Sequence, residues 1–384
     1  MDFLYAQVDF SGPSFKAAMS LKEGDGGLTP GRLVFAEDLE RFTGRNYEHM
    51  LADLCGGTVP ASSNLGGPSV VSLAHAAQML QGTGHSVCFY GARGTDETGT
   101  LIEQALAKLP FTGGGLLLKE GPTARTDVLS DPHYDNGQGE RTFIHLPGAA
   151  SLLYPEDLES SFFDAHLVAF GGTALLPHIH DGLTELLKKA RKNDAVTVAN
   201  LVYDYRSETH IPQMKWRLGM EDDAYPYIDI LIADRDEALK TSGCDSAEAA
   251  AGWFLARGTG AVIITQGVKP LVLAAGKGVF APLELTYLPV CEKINRELRE
   301  GIHHGDTTGC GDNFTGGIIV AMTEQLPCRS GGKADLREAC IPAIAAGGFA
   351  CFTLGGVFYE NRPGEKRERI ASYSEAYRKQ LERQ

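Results

Sequence analysis

The chain has 384 residues, 43% of them hydrophobic, and a formal net charge of −14 at pH 7. It exceeds the size one simple core supports, so a large α/β domain with a smaller attachment, or two domains, is expected. The acidic balance argues against a nucleic-acid backbone or an anionic membrane as the main partner.

No apolar run reaches membrane-spanning length, and the opening residues do not read as a signal peptide. The eight cysteines, Cys55, Cys88, Cys244, Cys291, Cys310, Cys328, Cys340 and Cys351, form no Cys-x-x-Cys pair and fall at no metal-ligand spacing. A reduced, cytoplasmic protein is therefore expected. Cys88 and Cys351 read as small hydrophobes, and Cys310 as a small residue in an alanine-sized space.

In chain order, residues 2–8 read as a strand of the core and residues 15–35, with several glycines, as a small β element. Residues 39–54 read as one helix. Asn64-Leu65-Gly66-Gly67-Pro68 leads into a helix over 70–80, with glycines placed for close backbone approach to a ligand. A strand over 86–91, the loop Gly94 to Gly99 and a helix over 101–109 follow. Residues 111–145 then break the rhythm: strands at 113–119, 126–129 and 141–146 surround the glycine- and aspartate-rich turn 131–139, the pattern of a lid.

From residue 166 onward, strands at 166–170, 195–201, 228–233 and 261–265 alternate with helices at 179–191, 236–241 and 246–257. A β candidate at 271–275 and a long helix after Asp335 complete the series. Such alternation predicts an α/β fold, a largely parallel sheet with helices on both faces, binding ligands beyond its C-terminal strand ends. The polar tail 363–384 reads as a solvated helix or a frayed terminus.

The chain is organised around Gly305-Asp306-Thr307-Thr308-Gly309-Cys310-Gly311-Asp312, which runs into the apolar segment of a helix. Glycines uncover backbone N–H groups, and a helix start favours a negative ligand. Asp312 would repel such a ligand, so it makes better sense as a general base taking a proton from a hydroxyl. The amides of Gly309, Cys310 and Gly311 would hold charge on a transferred phosphoryl group. A plain N-cap is the simpler reading of the same aspartate.

Four other groups fit that chemistry. Asp234 and Glu237 follow an apolar strand; they either complement a helix dipole or hold waters of a magnesium ion on nucleotide phosphates. Thr265 and Gly267 end another strand, where hydroxyl and backbone can meet a phosphate tail. Asn200 and Asp204 sit at a third strand end, suited to a polyhydroxylated substrate, and Arg141 and Arg206 can neutralise phosphate. The histidines, including adjacent His303 and His304, show no His-x-x-x-His motif, so no structural metal is expected.

With these residues in view, the sequence resembles the PfkB, or ribokinase-like, family of carbohydrate and nucleoside kinases. Asp306-Thr307-Thr308-Gly309-Cys310-Gly311-Asp312 looks like its C-terminal signature, with cysteine in the usual alanine position. Gly66-Gly67, Gly94-x-Asp96-x-x-Gly99, Gly139 to Phe143, Asp234-x-x-Glu237 and Thr265-x-Gly267 extend the likeness over nearly the whole chain. The resemblance implies one domain over 1–384, a three-layer α/β/α sandwich with a β-rich lid from about 10–40 and 111–147. It also implies transfer from ATP with Mg2+ to a primary hydroxyl of a sugar or nucleoside. Asp312 would be the base, Gly309 to Gly311 the anion hole, and Asp234 and Glu237 the metal network. Thr265 and Gly267 would flank ATP and Gly66 and Gly67 would face the acceptor; read from the residues themselves, Asp306 and Thr308 are further candidates for ATP, and Asn200, Asp204 and Arg141 for substrate. A monomer or homodimer would suffice.

Three departures stand out. Val71 occupies the place of a sugar-binding asparagine, Asp234 replaces the asparagine of an Asn-x-x-Glu motif, and Lys269-Pro270 interrupts a small turn. A catalytically weak or inactive ligand-binding homologue is the alternative they raise. Asp2 and Ser20 to Asp25 resemble the opening of adenosine-kinase-like members, with Asp2 as sugar ligand; the preceding half-strand would then be missing, as in a truncated chain.

Overall fold

The computed structural model describes residues 1–22, 24–137, 139–210, 213–276, 278–303, 305–326 and 332–383. Glu23, Gln138, His304 and Cys328 lie outside the described residues.

The first elements are β1 (Asp2–Tyr5), α1 (Pro13–Ala18), β2 (Leu33–Phe35), α2 (Ala36–Thr43), α3 (Tyr47–Leu54) and β3 (Ser62–Asn64). Next come α4 (Pro68–Leu80), β4 (Cys88–Arg93), α5 (Glu97–Leu106), β5 (Gly113–Leu118), β6 (Arg125–Asp131), the short turn α6 (Tyr134–Gly137) and β7 (Glu140–Leu146). Five of these strands form a lid sheet in the order β2-β7-β6-β1-β3. Residues 2–5, expected in the core, thus belong to the lid, parallel to β6 and antiparallel to β3. Phe15, Leu39, Met50 and Leu51 from α1–α3 close over Val34, Leu129 and Ile144 of that sheet, giving the lid its own core.

The single helix expected over 39–54 is two. Gly44 takes φ 67° and ends α2, and the Asn46 side chain accepts the His49 N–H to start α3. The strand at 113–118 leaves the lid and pairs in parallel with β4, so it does not widen the lid sheet. Tyr90, Ala92 and Leu117 of that pair pack against the core of the larger layer, which is why it sits there.

The larger layer follows with α7 (Ser160–Phe163), β8 (Leu167–Gly171), α8 (Pro177–Asp181), α9 (Leu183–Lys192), β9 (Val196–Asn200) and α10 (Tyr205–His210). It continues through β10 (Ile230–Asp234), α11 (Arg235–Ser242), α12 (Ala247–Ala256), β11 (Ala261–Gln266), β12 (Lys269–Ala275) and β13 (Leu283–Leu288). The chain ends in α13 (Glu292–Arg299), α14 (Cys310–Gln325), α15 (Leu336–Ala350) and α16 (Glu365–Leu381). The sheet order is β13-β12-β11-β10-β9-β8, parallel from β8 to β11 and antiparallel beyond.

Side chains of these strands alternate between two cores. Val198, Ile230, Ile232 and Ile263 face α14, α15 and α16, while Ala199, Leu231, Val262 and Ile264 face α9 and α12. Two helical layers around one sheet make the expected three-layer sandwich. The tail departs from the sequence reading, because Ile370, Tyr373 and Tyr377 of α16 are buried. Their spacing of three and four puts them on one helix face, which the charged average conceals.

Candidate active site

The glycine-rich loop is pinned from behind by the end of α15. A Cβ on Gly305 would stand 2.2 Å from the Cys351 carbonyl, and the Asp306 N–H donates to the Thr353 carbonyl at 3.0 Å. Asp306 Oδ1 accepts the Thr308 N–H at 2.7 Å, folding the loop back on itself. Gly309 then caps α14 with φ 74°, where a Cβ would come within 2.6 Å of the Gly356 Cα. Only glycine fits there without strain. The Cys310 N–H donates to the Thr307 carbonyl at 3.3 Å, so this amide, expected in an anion hole, is already engaged in a turn. Gly311 is exposed, with open space beside its Cα.

Asp312 is the third residue of α14 and half-buried. Burial, and then the Asp2 carboxyl, push its own carboxyl up to about 7. Asp2 reaches it from the lid. Its carboxyl lies so close to Gly66 that a Cβ there would be 2.0 Å from either oxygen, and burial raises its pKa too. Gly67 caps α4 with φ 111°. Asp2, Gly66, Asp306 and Asp312 are thus gathered where lid, α4 and α14 meet. Val71 is buried on α4 against Gly309 and Gly356, so this position supports the loop with an apolar contact.

Arg141, on β7, spans from the lid to the loop. Its guanidinium pairs with Asp306 at 3.0 Å, donates to the Thr307 hydroxyl at 3.0 Å and also bonds the Thr308 hydroxyl.

At the sheet end, register places Asp234 beside Thr265 and Ile232 beside Asn200. Asp234 and Glu237 form a reciprocal capping box: the Glu237 N–H donates to Asp234 Oδ1 at 2.7 Å and the Asp234 N–H to Glu237 Oε2 at 2.8 Å. Burial and the Asp234 carboxyl raise the Glu237 carboxyl well above its ordinary range, with a further contribution from Asp312. Thr265 donates to the Ala233 carbonyl at 3.5 Å, and Gly267 turns the chain into β12 with φ 61°.

Three expected residues have protein partners of their own. Asn200 is buried beneath the loop and accepts the Thr315 hydroxyl at 3.2 Å. Asp204 caps α10 by accepting the Ser207 N–H at 3.0 Å and hydroxyl at 2.6 Å, and Arg206 pairs with Asp181 at 2.6 Å. For Asp204 the cause is local: it precedes a short helix whose free N–H groups take a nearby carboxylate.

The sequence reading missed Lys366. On α16 it is 1% exposed, and its Nζ donates to Gln78 Oε1 and to Asn313 Oδ1, each at 3.1 Å. Asn313 in turn donates to the Gly309 carbonyl at 2.9 Å and the Gly356 carbonyl at 2.8 Å, next to Asp312. A single lysine among charged neighbours carries no sequence signal of this; only the helix stripe of α16 hints at it. Lys366→Met should destabilise the fold by about 1–3 kcal/mol through the orphaned oxygens. Burial lowers the Lys366 ammonium to about 7 from 10.5, so above pH 7 the native chain binds fewer protons than the unfolded one. Stability should therefore rise with pH across that window, and denaturation of Lys366→Met should lose this slope. An unchanged slope would contradict the assignment.

A profile of the pfkB family of carbohydrate kinases matches residues 74–360, well over half of the chain. The chain belongs to the pfkB family. The pfkB match encloses the loop, Arg141 and the sheet-end residues, while Asp2, Gly66 and Gly67 precede it and Lys366 follows it. The ribokinase-like sandwich is similar to adenosine kinase from Schistosoma mansoni in complex with 2-fluoroadenosine, at 17% identity and TM-score 0.68 over 94% of each chain. Adenosine kinase from Sinorhizobium meliloti gives 21% identity and TM-score 0.66 over 96% of each chain. Ribokinase from Thermotoga maritima gives 20% and 0.58 over 83% of this chain and 92% of its own. Among the described residues, no helix is long and apolar enough to cross a membrane.

Proposed function

We propose that the chain is an ATP-dependent phosphotransferase that moves the γ-phosphoryl group to a primary hydroxyl of a sugar or nucleoside. The observation that carries this reading is Asp312: a carboxyl raised to about 7, in the first turn of a helix entered through a glycine in the left-handed region. A base poised near neutrality at a ready-made anion site suits proton removal from an alcohol during phosphoryl transfer.

In this mechanism the acceptor lies against Gly66 and Gly67, with Asp2 accepting from its hydroxyls. An Asp312 oxygen takes the proton from the attacking hydroxyl, whose oxygen bonds to the γ-phosphorus as the bond to the β-phosphate oxygen breaks. The open Gly311 amide and the start of α14 stabilise the charge on the transferred oxygens. Asp306, Thr308 and Arg141 hold the loop in shape and bring the lid onto it; Thr265 and Gly267 flank the ATP path.

Asp234 and Glu237 fit a magnesium network. Each leaves one carboxylate oxygen outside the capping box, and burial with the neighbouring Asp234 carboxyl raises Glu237, a clustering of acids that a cation would offset. When bound, magnesium would neutralise charge on the phosphate oxygens. Val71 favours a second reading, a homologue with weak catalysis, since it offers an acceptor no hydrogen bond.

The test is ATP consumption with Mg2+ over a panel of nucleosides and sugars. Nucleosides come first because residues 2–25 resemble adenosine-kinase-like members. An acceptor that stimulates turnover in this chain and not in Asp312→Ala supports the reading; ATP binding with no stimulation by any acceptor supports the second.

A further inference from the structure

Two of the free cysteines meet behind the catalytic loop. Cys310, first residue of α14, and Cys351, the residue that caps α15, hold their Sγ atoms 3.2 Å apart, and both are half-buried rather than sealed. They come from segments 41 residues apart, so the pair is made by the fold. The two elements are already tied by the Asp306 N–H to Thr353 carbonyl bond, which leaves little freedom to separate the sulfurs.

We infer that Cys310 and Cys351 form a reversible thiol–disulfide modification site that switches the loop off when a hydroperoxide oxidises it. The contact between the two sulfurs lowers the Cys351 thiol and, with burial, raises Cys310, which favours Cys351 as the first sulfur to react. Its thiolate attacks one peroxide oxygen, the O–O bond breaks, and the released hydroxide takes a proton to become water. The Cys310 thiol then attacks the sulfenic sulfur, forming the S–S bond and expelling a second water. The two thiols lose two electrons and the peroxide gains them; a dithiol reverses the change.

A disulfide needs its sulfurs roughly 2 Å apart. Closing from 3.2 Å pulls on the first residue of α14, directly between Gly309 and Gly311. A displacement of about 1 Å in such a site costs on the order of 10^2-fold in rate.

The activity part of this inference rests on the kinase reading, while the bond itself does not. The reduced full chain and Cys351→Ser would each be treated with hydrogen peroxide, mapped by mass spectrometry without reduction, and assayed for phosphoryl transfer. The expected result is a peptide pair joined through Cys310 and Cys351, two hydrogens lighter than the free pair. Turnover should fall about 10^2-fold and return with dithiothreitol. Cys351→Ser, or Cys351→Ala if the serine variant folds poorly, should stay unlinked and keep its turnover under peroxide. Recovery of both cysteines unlinked from oxidised protein would overturn the site. A link without loss of turnover, or an equal loss in Cys351→Ser, would overturn the switch. Linked cysteines in a chain that phosphorylates no acceptor would count against the kinase reading and leave the modification site standing.

Discussion

Asp312→Asn should lower phosphoryl transfer by about 10^2- to 10^4-fold while nucleotide binding is largely kept, because the amide preserves shape but takes no proton. In the parent chain, kcat/KM should rise with pH and level off above about 7, where Asp312 is ionised. Since the Asp2 carboxyl is one cause of that value, Asp2→Asn should move the rising limb to lower pH. The stability sign is opposite to that of an ordinary paired carboxylate. Asp312 ionises near 3.8 when unfolded and near 7 when folded, so between these values the native chain binds more protons. Stability should therefore fall as pH rises through that window, and Asp312→Asn should remove the slope. Near-normal turnover in this variant, measured with the true acceptor, would end the assignment of Asp312 as base.

Gly309→Ala should damage the loop on two counts, backbone conformation and steric clash. A side chain at φ 74° costs about 1–2 kcal/mol. The added methyl would also press within 2.6 Å of the Gly356 Cα, backbone that cannot rotate away, adding about 1–3 kcal/mol. Relief of that clash shifts the start of α14, and loss of one aligned donor typically costs about 10^2- to 10^3-fold in kcat. Gly311→Ala is the internal comparison, because nothing lies within 4 Å of its Cβ position. Denaturation and turnover of the two variants should therefore separate: Gly309→Ala unstable and slow, Gly311→Ala near-normal in stability. Equal stability of the two would show that the loop is not held by Gly356.

The loop residues were legible in the sequence because a tight turn into a helix leaves a local signature: glycines, small hydroxyls and an acid within eight positions. The parallel strands were legible for a similar reason, since burial on both faces makes them continuous apolar runs. Asp234 and Glu237 were legible as a pair, although capping and metal binding ask for the same two carboxylates at the same spacing. Asp204 is ambiguous for that reason too: a polar residue after a strand serves a helix start as readily as a ligand.

The local motifs, and the alternation that demands an α/β sandwich, can be read from the chain alone. Which distant residues share a space emerges from the folded molecule. It moved Asp2 from the core to the lid and set its carboxyl on Gly66, paired Gly113–Leu118 with β4, brought Lys366 in under Asn313, and laid Cys351 against Cys310. Local signals arise from backbone geometry within a few residues. Contacts between segments tens or hundreds of residues apart arise from packing, which selects for complementary shape and leaves no spacing in the chain to read.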